Sequence, residues 1–285
     1  MRRLTYTNAR GESIVLGDSP PFVVTKLEGT GGVDTDIKTQ KSPYQDGATY
    51  LDTYLEMRQL TLEGCILARS RQQLFDLRRE LARVFNPKFG PGKLLYEYDG
   101  GQKEIQAVVD GSPVFPERRG GIMAQNFLIT LLCPDPFWLD TYYVSKQMSY
   151  LMGGIQFPLQ LPTIFAQRTH YRSVINSGDV STPVTIEFYG PAVNPVVTNE
   201  TTGEFIKVRQ TLEDGDVLHI DTAFGRKRVE IEKADGTRYN AFHFIDLSST
   251  FFQLEPGDNV LSYSSDDDST TARVIVKYRN RYVGV

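Results

Sequence analysis

Residues Ser70–Pro87 read SRQQLFDLRRELARVFNP, and this stretch carries the clearest helical signal of the first half of the chain. Ser70 can cap the first free backbone amides, and Gln73, three residues later, completes the pattern of a capping box. Apolar residues then recur at helical spacing. They form one stripe of Leu74, Leu77, Leu81 and Val84, opposite a charged face of Arg71, Asp76, Arg78, Arg79, Glu80 and Arg83. Because Asn86-Pro87 ends the pattern, we predict one surface helix, Arg71 to Phe85, lying on a sheet.

Strand patterns surround this helix on both sides. Alternation from Leu51 to Met57 changes phase at Leu60 and Leu62, which predicts a long strand interrupted by a bulge. After the helix, Asp99-Gly100-Gly101 separates two strand-like runs and predicts a tight hairpin turn. An apolar run from Ile122 to Leu132 predicts a final strand. It ends at Cys133-Pro134-Asp135-Pro136, where two prolines cannot donate to a sheet.

The segment 146–172 has no regular period, because Gly153, Gly154, Pro158 and Pro162 interrupt short apolar pairs. We interpret it as a linker or excursion between a first domain, 1–145, and a second domain, 173–285. Its apolar residues distinguish it from a flexible Gly/Ser tether and suit packing onto a neighbour.

From Ser173 onward the sequence shows strand patterns and no helical period. Turn residues separate the runs at short intervals, as at Asn176-Ser177-Gly178, Asp214-Gly215, Asp235-Gly236 and Pro256-Gly257-Asp258. Roughly eight strands in about 110 residues favour an antiparallel β-sandwich. The predicted fold class is therefore mainly β, with one helix in the first domain.

Composition excludes several function classes. The chain has 285 residues, enough for two domains, with 40% hydrophobic and 23% charged residues, the balance of a folded soluble protein. Its net charge is −4, and neither half is basic: residues 1–145 carry 17 Lys and Arg against 18 Asp and Glu. Direct nucleic-acid binding is therefore not expected. The basic start lacks the apolar run of a secretory signal, and no stretch is long enough to span a membrane, so we expect synthesis in the cytoplasm.

No motif of the sequence forms a convincing catalytic, cofactor or metal site. Gly90-Pro91-Gly92-Lys93 lacks the spacing and hydroxyl of a P-loop, and no helical pattern follows the loop Gly29-Thr30-Gly31-Gly32, so it is no dinucleotide site. The sets Asp266-Asp267-Asp268 and Asp214, Asp216, Asp221 could supply calcium ligands, but neither matches an EF-hand loop. Charged, solvated turns are the favoured interpretation of both.

The remaining candidate residues also have ordinary structural interpretations. His219 alternates with apolar neighbours on a predicted strand, which favours solvent or a polar neighbour as its partner over catalysis. The two cysteines, Cys65 and Cys133, lie in apolar strands as free thiols, and no zinc set or disulfide is implied. Spacing alone does not exclude a glycosidase dyad among the carboxylates. We commit to no catalytic, cofactor-binding or metal residues.

Aromatic residues of the second half leave a sugar-binding alternative open. Exposed rings on a sandwich can stack on sugars, although core positions are the more common place for them. The rings concerned are Tyr239, Phe242, Phe244, Phe251, Phe252 and Tyr263, of which we expect one or two at most to be exposed.

The order of these pieces resembles the distal tail proteins of long-tailed phages with non-contractile tails. In the first half the resemblance lies in the strand Leu51 to Leu62, the helix, the hairpin and the closing Leu132–Phe137. In the second half it lies in four ordered pieces. These are Ile175–Gly190, Val197–Ile206, Gly215–Thr222 and Leu254–Asn259.

The resemblance implies a β-barrel-like (split-barrel) first domain with the helix and hairpin, and a galectin-like second domain. It further implies a non-enzymatic virion protein at the distal end of the tail, forming a homo-hexameric ring with an opening for DNA. The implied partners are the tail tube protein, a tail-associated lysin or fibre hub protein, and receptor-binding proteins. The hairpin near Asp99 and segment 146–172 are our candidates for reaching the neighbouring copy.

Two alternatives to this assignment remain. A carbohydrate-binding module for host-surface adsorption is one, although no sugar-contacting His, Asn, Arg and Trp set can be matched and the only tryptophan, Trp138, belongs to the first half. A tail-associated hydrolase is the other, and it predicts turnover of cell-wall polymer by the pure protein.

Overall fold

The chain folds mostly into β-structure, which confirms the predicted fold class. A computed structural model describes residues 2–116, 123–149, 171–267 and 272–285. Strands account for 53% of the structure, and the described residues contain one α-helix. The chain divides into two compact units, Met1–Thr141 with Tyr282–Val285, and Tyr142–Arg281.

The elements of the first half follow one another closely. In chain order they are β1 (Arg3–Thr7), β2 (Ser13–Gly17), β3 (Phe22–Glu28), β4 (Thr35–Gln40), β5 (Thr49–Leu55), β6 (Arg58–Leu67), α1 (Arg71–Val84), a 3₁₀ turn (Pro87–Phe89), β7 (Gly92–Tyr98), β8 (Gly101–Val109), β9 (Ala124–Cys133) and β10 (Trp138–Asp140).

The regular elements in the described part of the second half are strands and one short 3₁₀ turn. They are β11 (Val144–Ser149), β12 (Arg172–Asn176), β13 (Thr182–Tyr189), β14 (Ala192–Val193), β15 (Val196–Asn199), β16 (Glu204–Lys207), β17 (Thr211–Leu212), β18 (Val217–Asp221), β19 (Arg228–Glu232), β20 (Arg238–Asn240), the turn Phe242–Phe244, β21 (Gln253–Leu254), β22 (Gly257–Ser264), β23 (Arg273–Tyr278) and β24 (Arg281–Tyr282).

The first unit is a barrel-like sheet in the order β24-β10-β8-β7-β1-β2-β3-β6-β9. A further pairing of β8 with β9, Val108 opposite Leu132, closes seven of these strands into a ring. The closure is thin between β2 and β3, which meet in parallel at the single pair Gly17 and Val23. This weak junction gives the barrel its split character.

Helix α1 forms as its sequence predicts and covers one side of this barrel. The Ser70 hydroxyl accepts a hydrogen bond from the Gln73 amide at 3.1 Å, which caps the first turn. The Gln73 side chain accepts from the Arg69 amide at 2.7 Å, one residue before the position that a capping box uses. Leu74 and Leu81 are buried in the core of the unit, so the predicted apolar stripe is confirmed.

One predicted strand is wrong. The alternation from Leu51 to Leu62 belongs to two strands in different sheets, because β5 ends at Leu55 and β6 begins at Arg58. The apolar phase shift near Met57 therefore marks a change of sheet, not a bulge. The sheet partner of β5 is β4, whereas β6 lies between β3 and β9.

The predicted hairpin is confirmed. Strands β7 and β8 pair from Gly92 and Ala107 to Tyr98 and Gly101, which leaves Asp99 and Gly100 as a two-residue turn. Gly101 takes the positive φ of +133°. The hairpin lies within the barrel sheet, and Ile122 at the predicted start of the last strand lies outside the described residues.

The second unit is a sandwich of antiparallel strands. One sheet has the order β11-β23-β13-β18-β19-β20 with β21 beside β13, and the other has the order β12-β22-β15-β16. Alternate residues of the central strand β13, such as Val184, Ile186 and Phe188, are completely buried between the sheets. The predicted sandwich follows from this alternation.

The unit boundaries differ from the predicted division at both ends of the second unit. Val144–Ser149 forms a strand paired with β23, so residues 146–149 belong to the sandwich and not to a linker. Of the rest of the predicted linker, residues 150–170 lie outside the described residues, and Arg172 is the first residue of β12. At the other end, Tyr282–Val285 returns to the first unit.

Candidate assembly surface

The predicted strand histidine has a polar partner. His219 Nε2 lies 2.9 Å from Glu232 Oε2, and the same carboxylate accepts from Arg238 Nη2 at 2.6 Å. Hydrogen bonds with His219 and Arg238 hold the pKa of Glu232 below its ordinary value. This charged row on strands β18 to β20 is a satisfied network, so the prediction of a polar neighbour for His219 is confirmed.

The acidic residues considered as calcium ligands serve turns and ion pairs. Asp216 is buried and accepts from Lys233 Nζ at 2.7 Å and from the Glu213 amide at 3.0 Å. Burial acts to raise the pKa of Asp216, but these hydrogen bonds more than offset it and hold the pKa below its ordinary value. Asp221 instead accepts from the Ala223 amide at 2.9 Å.

No group of three metal-ligating side chains occurs among the described residues. Asp266 accepts from the side chain of Asn194 at 2.8 Å, while Asp268 lies outside the described residues. Over all the residues that the structure describes, no helix is long and apolar enough to cross a membrane.

Both cysteines are free thiols in the described structure. Cys133 is buried at the end of β9, and burial raises the pKa of its thiol to about 12. A thiol that remains protonated at neutral pH is a poor nucleophile and behaves as a small apolar side chain.

The glycine-rich loop after β3 is where the end of the chain meets the first unit. Gly29 has φ +89°, and a Cβ there would lie 2.0 Å from the Gln59 carbonyl oxygen. The Thr30 carbonyl accepts from Trp138 Nε1 at 3.1 Å and from the Val285 amide at 3.2 Å. The loop therefore has a structural role, as its lack of a following helix predicts.

Arg58 lies buried at the centre of this junction. Its guanidinium donates to the carbonyls of Gly29, Gly32 at 3.3 Å, Pro136 at 2.7 Å and Val283. Burial lowers the pKa of Arg58 below its ordinary value. One side chain thus connects the loop, the segment after β9 and the returning C-terminus.

The most exposed feature of the first unit is a two-stranded ribbon, residues 34–56, which we call the arm. Its strands β4 and β5 hydrogen-bond to each other and form a sheet of their own. Tyr44 at the tip is fully exposed, and Tyr50 and Leu51 are 61% and 56% exposed. Large apolar side chains on a bare ribbon are the mark of a surface that another molecule covers.

The two faces of the arm differ in character. Residues directly opposite each other share a face, and a register shift after Lys38 leaves Leu51 without an opposite residue. One face carries Ile37, Thr39, Tyr50 and Leu55, and the other carries Asp36, Lys38, Asp52 and Tyr54. The arm therefore presents an apolar face on one side of the ribbon and a charged face on the other.

The outer face of α1 is a second unusual surface, which we call the helix face. It consists of Arg69, Arg71, Phe75, Arg78 and Arg79. Phe75 is 49% exposed, and the guanidinium carbons of Arg71 and Arg78 lie 5.9 and 5.6 Å from its ring centroid. The charges on this side of α1 were predicted to remain in water, and the exposed Phe75 is the part that the periodicity does not explain.

Aromatic residues of the second unit are mostly internal, as expected. Phe252 and Tyr263 are buried, and Tyr239, Phe244 and Phe251 pack partly against the core. Phe242 is exposed and stacks on Phe251 at 5.7 Å between ring centroids.

The arm is the exposed surface feature that sequence reasoning missed. The predicted candidates for reaching a neighbour were the hairpin near Asp99, which is part of the barrel sheet, and segment 146–172, mostly outside the described residues. A signal was present, because the run from Asp34 to Glu56 alternates tyrosines and carboxylates with few core-type residues.

Comparison with protein families places a known domain on each unit. Residues 9–133 match the phage tail protein RIFT-related domain, and residues 177–282 match the C-terminal domain of the siphovirus-type tail component. The predicted resemblance is therefore confirmed in both halves. Among curated protein sequences, none matches the chain significantly.

Solved structures share the whole architecture. The Dit protein (gp 19.1) of phage SPP1, described as a paradigm of the hub adsorption apparatus in phages that infect Gram-positive bacteria, aligns over 98% of both chains with a TM-score of 0.66 and 14% identity. A chain of the phage P2 baseplate in its activated conformation with calcium aligns over the full length of both chains, with a TM-score of 0.56 and 12% identity. At such low identity these matches concern the fold.

Proposed function

Because this chain belongs to the siphovirus-type distal tail proteins, we propose that six copies form a closed ring at the tail tip, with an opening through which DNA passes. The chain is a structural component of the phage tail and baseplate. The ring number and the channel are the proposed parts. The first units would form the ring, and the galectin-like units would lie outside it.

The observation that supports self-assembly is the arm. An isolated two-stranded ribbon is marginally stable in water, and open strand edges invite pairing with another chain. A ribbon with Tyr44, Tyr50 and Leu51 exposed gains stability when a neighbour covers it. Identical copies that use two different patches for contact close into a ring when the rotation allows it.

Charge supports the passage of DNA without capture. Residues 1–145 carry almost equal numbers of acidic and basic side chains, so the first unit has no net positive charge that would attract phosphates. A neutral or mildly acidic lumen would let the genome slide through.

The proposed partners follow the position of such a ring. One side would contact the tail tube protein and the other a tail-associated lysin or fibre hub protein, with receptor-binding proteins attached further out. The protein would be made in the host cytoplasm. It would act without catalysis, since His219, Glu232 and Asp216 make structural contacts and the thiol of Cys133 is buried.

Native mass measurement of the purified chain, with negative-stain electron microscopy, tests this proposal. We expect a species of six copies that appears as a ring with a central opening. A chain that remains monomeric over the full accessible concentration range, and stays outside tails when tails are assembled with it, would contradict the proposal.

A further inference from the structure

We infer that the arm of one copy docks on the helix face of the next copy, and that this contact joins neighbouring subunits around the ring. The inference rests on the proposed ring and deepens it by naming the two surfaces that meet. The partner is thus a second copy of this chain.

Charge complementarity between the two surfaces is the main argument. The arm has a net charge of −3, from five carboxylates and two lysines. These are Asp34, Asp36, Asp46, Asp52 and Glu56, with Lys38 and Lys41. The segment 69–83 has a net charge of +3, from five arginines and two carboxylates. The net charges of the arm and of segment 69–83, which contains the helix face, are equal and opposite in a protein whose first half is nearly neutral.

Most of these charges have no ion-pair partner within the described chain. Asp36 pairs with Lys38, and Arg83 lies 3.5 Å from Glu12. Within the described residues, by contrast, Arg69, Arg71 and Arg79 have no carboxylate within 4 Å, and Asp34, Asp46 and Glu56 likewise have no cation within that distance. Uncompensated charge on both sides favours association between copies and steers their encounter.

Apolar side chains on the two surfaces are also complementary. The guanidinium carbons of Arg71 and Arg78 lie 5.9 and 5.6 Å from the Phe75 ring centroid, and such a group of exposed guanidinium and aromatic side chains suits the stacking of further aromatic rings. The arm offers exposed tyrosines, namely Tyr44 at its tip and Tyr54 on its charged face. Tyrosine and arginine are the residue types that dominate protein interfaces.

The dimensions of the two surfaces agree. Six residues of β4 at about 3.3 Å each extend roughly 20 Å. The fourteen residues of α1 at about 1.5 Å each give a helix about 21 Å long. An arm laid along the helix can therefore contact its whole face.

The contact must form between copies, because each surface is exposed in the single chain. Tyr50 and Phe75 retain about half or more of their accessible surface, so the arm does not cover the helix face of its own copy. A patch that meets a different patch on the neighbour is a heterologous contact, which is the type that a cyclic ring requires.

Charge reversal with rescue tests the inference. The helix variant Arg69→Glu, Arg71→Glu, Arg79→Glu changes the net charge of segment 69–83 from +3 to −3, and the arm variant Asp34→Lys, Asp46→Lys, Glu56→Lys changes that of the arm from −3 to +3. We expect each variant alone to raise the ring dissociation constant about 100-fold or more. The chain with both sets restores opposite charges and should assemble at near wild-type concentration.

A matched control carries the same total charge as the helix variant. Arg226→Glu, Lys227→Glu and Arg228→Glu reverse three cations of the second unit, and this control should assemble normally. Circular dichroism of every variant establishes that it is folded. The arm does not dock on the helix face if the control weakens the ring as much as the helix variant does. The same holds if the chain that carries both sets of substitutions fails to restore ring assembly.

Cross-linking separates failure of the inference from failure of the proposed ring. One chain carries Asp46→Cys and another Arg79→Cys, both with Cys65→Ser, and a short bis-maleimide is added to each chain and to the mixture. We expect covalent dimers in the mixture only. Rings without this cross-link would overturn the arm contact and leave the ring intact, whereas neither rings nor cross-links would overturn both.

Discussion

Replacing Arg58 by methionine removes the cation that connects three segments of the first unit. Four carbonyls, those of Gly29, Gly32, Pro136 and Val283, lose their donor. An unsatisfied carbonyl costs about 1 kcal/mol at the low end of the measured range. Methionine avoids the desolvation cost of a buried guanidinium, and this offsets part of the cost of the four unsatisfied carbonyls. We therefore expect the first unit to be destabilised by about 3 kcal/mol.

A change of this size is easy to measure. In a unit of this length, a loss of 1 kcal/mol in the free energy of unfolding lowers the midpoint of thermal unfolding by about 4 °C. We therefore expect the midpoint of the first unit to fall by roughly 10 °C. Differential scanning calorimetry reports this, with Arg228→Met as the control, because the exposed Arg228 has only a surface ion pair with Glu230 at 3.6 Å.

The role of the chain end in this prediction can be tested separately. Deletion of Val283–Val285 removes one acceptor of Arg58 and the amide that donates to Thr30. The deletion and Arg58→Met should therefore destabilise less in combination than the sum of their separate effects. The reasoning would be refuted if the two destabilisations were strictly additive, or if Arg58→Met lowered the free energy of unfolding by less than about 1 kcal/mol.

Three further predictions follow from single residues. Gly29→Ala should destabilise the first unit by about 2 kcal/mol or more in denaturant titration, because its φ is positive and a Cβ would strike a backbone oxygen, whereas Gly31→Ala, which has open space, should be nearly neutral. Asp216→Asn should lower the melting temperature of the second unit at pH 7. Because its folded pKa lies below the unfolded value of about 3.9, its contribution is complete above that pH and is lost as pH falls through the folded pKa, so wild type and variant should converge in acid. At pH 8 the buried thiol of Cys133 should react with a disulfide reagent about 100-fold or more slowly than Cys65, and equal rates would contradict its burial.

Local features could be predicted from the sequence because their causes are local. The cap at Ser70 and the stripe of Leu74 and Leu81 determine α1, and Gly101 permits the turn after Asp99. Turn residues between apolar runs likewise predict the sandwich. The order of motifs along the chain indicates a phage tail component, and the family comparison confirms this resemblance.

Features that depend on distant parts of the chain could not be predicted. The alternation near Leu51 looks the same whether β5 extends β6 or pairs with β4, because period-2 patterning does not specify the partner strand. The return of Tyr282–Val285 depends on Arg58, more than 220 residues earlier. Nothing in the pattern around Arg58 indicates burial, since an arginine at the start of a strand normally stays in water.

Cryo-electron microscopy of the assembled ring, at a resolution that traces the arm, tests the central claim most directly. We predict a closed ring of six first units in which residues 34–56 of each copy lie along the helix face of its neighbour. A ring in which the arms extend into solvent or contact only another protein, or an assembly that does not close, would contradict the account.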